Sequence, residues 1–310
     1  MFVIKYRKIF FIFTGVIVIS AIFSTIFFGL NFGIDFTGGA ITEISYETAD
    51  FEKEKRPSSK EALEERLRNL PIGGFSIRPT GGDDSYILRT RNLTENERID
   101  VIDALSFNGE KIVIQKRFNS IGPTIGSELR NKALVAIGIV IIAIVLFIAF
   151  VFRKVSKPIS SWKYGIVAIL ALIHDILVPV GIFAFLGYMI AVEIDILFVM
   201  ALLAILGYSI NDTIVVFDRV RENLRFNNEN RIKEEFDITV GKSLNQTYMR
   251  SINTSLTTLF ALLALFFVGS EATQNFALVL IIGIITGTYS SIFFATPLLI
   301  TIQRLSGGNK

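Results

Sequence analysis

Cysteine is absent from the 310 residues, and histidine and tryptophan occur once each. Without thiols there is no disulfide and no thiolate metal site, and the single imidazole, His174, cannot build a zinc cluster. The conspicuous glycine-rich stretch, Gly33-Ile34-Asp35-Phe36-Thr37-Gly38-Gly39, lacks the Gly-Lys-Ser/Thr ending of a phosphate-cradling Walker loop. No A-x-A cleavage site follows the first apolar run. That run exceeds the roughly 7–15 residues of a signal-peptide core, so a retained signal anchor is expected. Basic residues are missing from two connections, 188–195 and 270–275.

What is abundant is apolar: 51% of the chain is hydrophobic. Six segments reach the roughly 20 mostly apolar residues that cross a bilayer, at 9–29, 133–152, 164–187, 196–217, 252–269 and 276–302. Lys5, Arg7 and Lys8 precede the first. Arg153, Lys154, Lys157 and Lys163 fill the second–third connection, and seven further bases lie within 218–251. The bias of basic residues toward cytoplasmic loops predicts both termini inside and residues 31–132 outside. Topology thereby accounts for the basic residues, and no nucleic-acid partner is expected. The expected fold is a polytopic α-helical membrane protein with six transmembrane helices and one extracytoplasmic domain between the first two. Its parts are 1–30, the outer domain 31–132, a five-helix bundle 133–303 with cytoplasmic loop 218–251, and a tail 304–310.

The outer segment reads as alternating elements. Residues 40–48 alternate like a strand, and 58–70 carry Ala62, Leu63, Leu67 and Leu70 on one helical side. Residues 75–79 and 85–91 suggest a hairpin across Gly81-Gly82-Asp83-Asp84. Thr94 with Glu97 forms a capping box opening a helix to Asn108, and 111–118 is a last strand. The order β-α-β-β-α-β predicts a small ferredoxin-like α+β domain. The glycines at 33–39 suit a tight turn from helix into strand.

Polar residues inside the apolar runs carry the functional signal. Asp212 lies in Gly207-Tyr208-Ser209-Ile210-Asn211-Asp212-Thr213, where an unpaired charge at a helix centre costs roughly 2.5–3.5 kcal/mol. Arg250, Asn253, Thr254, Thr257 and Thr258 recur at helical spacing, so one face of the fifth span is polar and faces another helix or a wet path. Asp212 and Arg250 lie at compatible depths. The pair is either a permanent staple between two helices or a site where the acid takes up and releases a proton. His174-Asp175 sit mid-span, with Pro179 one turn on predicting a kink beside the charge. A buried histidine there is either a satisfied polar contact or part of a proton path. Gly283 and Gly287 form a G-x-x-x-G suited to close helix packing.

Taken in order, the 33–39 glycine motif, Phe118-Asn119-Ser120-Ile121-Gly122-Pro123-Thr124-Ile125-Gly126, His174-Asp175, the stretch from Gly207 through Asn223, and Arg250-Ser251-Ile252-Asn253-Thr254-Ser255-Leu256-Thr257-Thr258 resemble the SecF family of bacterial protein export over nearly the whole chain. The resemblance implies a subunit of the resistance-nodulation-division superfamily in the bacterial cytoplasmic membrane. Such a subunit pairs with SecD in a pseudo-symmetric bundle of twelve spans beside the Sec channel and its accessory subunits. It draws unfolded preprotein outward on the proton gradient, as a translocase component and not an enzyme, without a cofactor. Asp212 and Arg250 match the family's proton-pathway positions, with Asn211, Thr254, Thr257, His174 and Asp175 as companions. Gly33, Asp35, Gly38 and Gly39 match its structural or coupling motif. The short basic N-terminus resembles the separate-subunit form. From the residues alone, hydroxyls of Ser209, Thr254 or Thr257 beside Asp212 suit Na⁺ as well as H⁺. A stand-alone exporter of small molecules or lipids, and a non-conducting membrane scaffold, remain alternatives; an aspartyl protease lacks its Gly-x-Gly-Asp.

Overall fold

The computed structural model describes residues 2–46, 60–79, 84–151 and 160–306. The start of the helix expected from Ser58, the hairpin turn at 81–83 and the basic residues Arg153, Lys154 and Lys157 lie outside them. The chain divides into two units, Phe32–Ala133 and the remainder.

A turn α1 (Phe2–Lys5) leads into α2 (Arg7–Phe28), and Phe32–Ala133 follows with its own core. One helical turn, α3 (Ile34–Thr37), precedes β1 (Gly39–Tyr46), α4 (Lys60–Arg68), β2 (Ser76–Pro79), β3 (Ser85–Thr90), α5 (Glu95–Leu105) and β4 (Val113–Ile121). The sheet order is β2-β3-β1-β4, with every pairing antiparallel. From β1 on, this is the β-α-β-β-α-β succession expected from the sequence. Alternation decides which side is buried: Ala40, Ile44, Ile77 and Leu88 from the strands meet Leu63, Leu67, Val101 and Leu105 from the helices. The capping box forms, with the Thr94 hydroxyl accepting from the Glu97 amide at 3.4 Å and Glu97 Oε2 accepting from the Thr94 amide at 2.8 Å. The helix it opens stops at Leu105, short of the expected Asn108. Phe107 and Asn108 both turn left-handed, at φ +56° and +60°, and end it.

The glycine stretch is a tight turn. Gly38 has φ +71° and Gly39 +134°; a Cβ would lie 2.7 Å from Pro123 Cα at Gly38 and 2.7 Å from the Thr90 carbonyl oxygen at Gly39. Both positions therefore require glycine. Gly33 is extended at φ −70°, and Asp35 stands half-buried in the first turn of α3.

Helices α6 (Pro123–Val151), α7 (Ser161–Ile190), α8 (Ile196–Glu229), α9 (Phe236–Val268), α10 (Glu271–Tyr289) and α11 (Thr296–Ser306) make up the rest. A π-turn, Ser290–Ala295, joins the last two into one span. With α2 there are six helical stretches of membrane-spanning length among the described residues. Helix α7 runs unbroken through Pro179 and ends where Ala191 turns left-handed; Asn31 donates to the freed carbonyls of Ala191 and Val192 at 3.2 and 3.1 Å. The G-x-x-x-G seats α10 against α8, since a Cβ on Gly283 would fall 2.2 Å from Ile205 Cδ1 and one on Gly287 3.1 Å from Ser209 Cβ.

The connection at 218–251, whose mixed charges suit a solvated amphipathic surface helix, is mostly helical: α8 continues to Glu229, α9 begins at Phe236, and only a short bend separates them. Ion pairs one turn apart support the extension, Arg219–Glu222 and Arg221–Asp218 at 2.6 Å and Arg225–Glu229 at 2.7 Å. The bend is tied by Asn227, which donates to Glu234 at 3.0 Å and to Thr239 at 3.2 Å.

Candidate functional site

Asp212 faces the α8–α9 contact and is 9% exposed. Its Oδ1 accepts a hydrogen bond from the Ser251 hydroxyl at 2.5 Å, while its Oδ2 is buried with no hydrogen-bond partner among the described residues. Ser291 of the π-turn faces the same carboxyl. The expected contact with Arg250 is absent, and the reason is helical geometry. Arg250 and Ser251 are consecutive, so their side chains leave α9 about 100° apart. Ser251 points at α8, and Arg250 is turned to the exposed side.

The same offset governs the whole helix. The buried face of α9 carries Thr239, Ser243, Thr247, Ser251 and Ser255, a hydroxyl every fourth residue. Asn253, Thr254 and Thr257 lie exposed beside Arg250, and Asn211 of α8 is exposed as well. Thr254 and Thr257 donate to carbonyls of their own helix, at 2.9 Å to Arg250 and 3.1 Å to Asn253. Thus neither hydroxyl bonds Asp212.

A second acid lies deeper. Asp175 is fully buried and His174 is 2% exposed. His174 Nδ1 stands 2.8 Å from Asp175 Oδ1, so the two side chains share a hydrogen bond. Its Nε2 is buried with no hydrogen-bond partner among the described residues. Asp175 Oδ2 accepts from Ser209 of α8 and, at 2.8 Å, from Ser290 of the π-turn. The next residue, Ser291, shares a 2.8 Å hydrogen bond with Thr213, the neighbour of Asp212 on α8. A second branch runs from Ser255, bonded to Thr288 at 2.5 Å and to the Tyr208 hydroxyl at 3.2 Å. Hydroxyls from α8, α9 and the π-turn therefore line the space between the two acids.

The sequence points to both acids and to Ser209, which bonds Asp175, but not to the roles of Ser251, Ser290 and Ser291. For Ser251 the signal exists: the period-four run of Ser and Thr from 239 to 255 marks a face one residue away from the Arg250 strip. For Ser290 and Ser291 it does not. Two adjacent residues both face inward through a π-turn, a geometry frequent at functional sites and not written in the local sequence.

Six apolar helices, one α+β unit inserted after the first, and two buried acids in a hydroxyl-lined interior define the class: a polytopic α-helical membrane protein. Family comparison narrows it. Residues 101–305 match the model of the C-terminal part of the protein export membrane proteins SecD/SecF, and residues 23–50 match the SecD/SecF GG motif. The chain is 41% identical to the protein translocase subunit SecF of Thermobaculum terrenum, covering 97% of this chain and 94% of that one. Against the SecF of Sebaldella termitidis identity is 35%, with 97% and 91% covered. The crystal structure of SecDF, a translocon-associated membrane protein from Thermus thermophilus, superposes with a TM-score of 0.79 at 31% identity; the match takes in 97% of this chain and 38% of that longer one. The chain belongs to the SecD/SecF protein-export family and, within it, to the SecF translocase subunits.

Proposed function

We propose that this subunit works with SecD in the bacterial cytoplasmic membrane, using the proton-motive force to draw unfolded preprotein outward in the late, ATP-independent steps beside the Sec channel. In this reading both termini are cytoplasmic, Phe32–Ala133 is extracytoplasmic, Asp212 is the group that takes up and releases the proton, and no cofactor takes part.

The observation that carries the reading is the state of Asp212. A carboxyl kept for scaffolding is expected to be fully paired, because an unsatisfied buried polar group is costly. Here one oxygen has a single hydroxyl donor and the other has no partner among the described residues, which leaves room for a proton to come and go. His174 and Asp175, linked through Ser209 and Ser290, continue the hydroxyl path. Arg250, Asn253, Thr254 and Thr257 form a polar strip that this chain leaves uncovered. Such a strip is unfavourable against lipid, so the helices of SecD supply its cover. One charge crossing 100 mV releases about 2.3 kcal/mol, enough to bias a two-state cycle that reorients the extracytoplasmic domain.

The test is export of a preprotein into membrane vesicles carrying Asp212→Asn. Gradient-dependent export should be lost while co-purification with SecD persists. Separate collapse of ΔpH, Δψ and a sodium gradient assigns the ion. Normal export by Asp212→Asn would overturn the proton role and leave the subunit as a scaffold.

A further inference from the structure

Away from the two acids, the ends of three helices distant in sequence meet. Asp237 in the first turn of α9 accepts from Arg7 at 3.4 Å at the start of α2, and it forms a salt bridge with Arg304 of α11. A cavity of about 370 Å³ opens there, lined by these three residues and by Lys5, Tyr6 and Lys8. Four cations and one carboxylate leave the lining with a local charge of +3. Lys5 and Lys8 are exposed and form no ion pair among the described residues; Lys5 lies over the Tyr6 ring at 5.6 Å. Loops biased by topology alone need only scattered bases. Here one half-buried carboxylate engages two guanidinium groups of the lining, while the two lysines of the same lining stay exposed.

We infer that this cavity binds the phosphodiester headgroup of an anionic phospholipid. Arginine forks and lysine point charges are the groups that recognise phosphate oxygens. The volume lies within the usual range of ligand sites, and basic pockets between membrane helices hold acidic headgroups. What selects a lipid over free phosphate is the surface next to the cavity. The exposed apolar face of α2 begins at Ile9, immediately after Lys8, and continues through Ile12, Phe13 and Val16, at 53–68% exposure. A headgroup held by Lys5, Lys8 and Arg304 places its acyl chains along that face. Tyr6, amphipathic and partly exposed, sits where headgroup and hydrocarbon meet. The assignment stands independently of the role of Asp212.

The full chain, purified from membranes in mild detergent, is titrated with phosphatidylglycerol or phosphatidylcholine and the bound lipid counted by native mass spectrometry. Phosphatidylglycerol should be retained and phosphatidylcholine should wash off. Lys5→Gln with Lys8→Gln, which leaves the Arg7–Asp237–Arg304 bridge intact, should weaken phosphatidylglycerol about 30-fold, and Lys5→Arg with Lys8→Arg should keep it. Unchanged thermal unfolding of both double variants shows that folding is not the cause. Equal retention of the two lipids, no loss in the glutamine variant, or displacement of phosphatidylglycerol by millimolar inorganic phosphate would each overturn the proposal.

Discussion

The turn at Gly38-Gly39 sets up a substitution whose cost follows from two distances and two angles. At Gly39 a methyl group would lie 2.7 Å from the Thr90 carbonyl oxygen and 3.2 Å from Ile34 Cγ2. Ile34 is a side chain and can rotate. Thr90 is backbone, opposite Ala40 in the β1–β3 register, and moving it breaks the ladder. The φ of +134° adds backbone strain of about 1–3 kcal/mol for any residue with a Cβ. Forcing one methyl into a packed site adds about 1–3 kcal/mol. Gly39→Ala should therefore destabilise Phe32–Ala133 by about 2–6 kcal/mol, a large part of the roughly 5–15 kcal/mol that holds a domain together. Gly74→Ala is the control, because a Cβ there meets nothing within 4 Å. Amide hydrogen exchange of β1 in the full chain reads the effect: protection should fall at least about 30-fold in Gly39→Ala and stay within about threefold in Gly74→Ala. Equal protection in the two variants would refute the steric reasoning and the view that the glycine motif is there for its backbone.

Other expectations follow from the hydrogen bonds. Ser251→Ala removes the hydroxyl that donates to Asp212 Oδ1, and a hydrogen bond to a charged group is worth about 1.5–3 kcal/mol, so gradient-driven export should drop by at least about tenfold. Thr254→Ala removes a hydroxyl bonded to its own helix and should change export less than about twofold. Asp175→Ala leaves His174, Ser209 and Ser290 without their shared hydrogen-bond partner, three buried groups at about 1–3 kcal/mol each, and should cost about 3–5 kcal/mol in detergent unfolding, against about 1 kcal/mol for Ser290→Ala. In the α+β unit, Arg91 and then the Thr94 amide hold the Glu97 carboxyl down at about 2 instead of the ordinary 4.5. The folded form favours the ionised acid, so this stabilisation is complete above pH 4.5 and disappears as pH falls toward 2. Exchange at the start of α5 should accelerate across that window, and Glu97→Gln should flatten the difference.

How far the molecule could be read from its sequence depended on the kind of signal. Long apolar runs announce spans because the bilayer demands length and apolarity together, and each of the six segments coincides with a helical stretch of spanning length among the described residues to within a residue or two at its apolar end. Where the polar ends of α8 and α9 run on beyond the apolar segments, no such demand applies. There the helices are continued by ion pairs one turn apart, a weaker and less legible cue. The α+β unit was legible through alternation and the capping box. The stop of α5 at Leu105 was not, because left-handed backbone at Phe107 is a tertiary outcome unfavourable to that residue in isolation.

Inside the bundle, the polar strip headed by Arg250 drew attention because arginine in an apolar run is costly. Serine and threonine are cheap there, since each can bond the carbonyl one turn back, as Ser255 does to Ser251 and Thr258 to Thr254, both at 2.9 Å. Hydroxyls therefore do not announce which face is buried. The cheap face proved to be the inner one: Ser251 touches Asp212, and the costly strip is left uncovered. That inversion has a physical sense. In the proposed proton role, a buried acid is better served by hydroxyls, which donate or accept without fixed charge, than by a guanidinium that holds it ionised. A guanidinium one residue away on the same helix, turned aside by about 100°, can be brought closer by rotating α9 about its own axis. Were α9 to turn about its axis in that sense, Arg250 would approach Asp212 only as the Ser251 hydrogen bond broke.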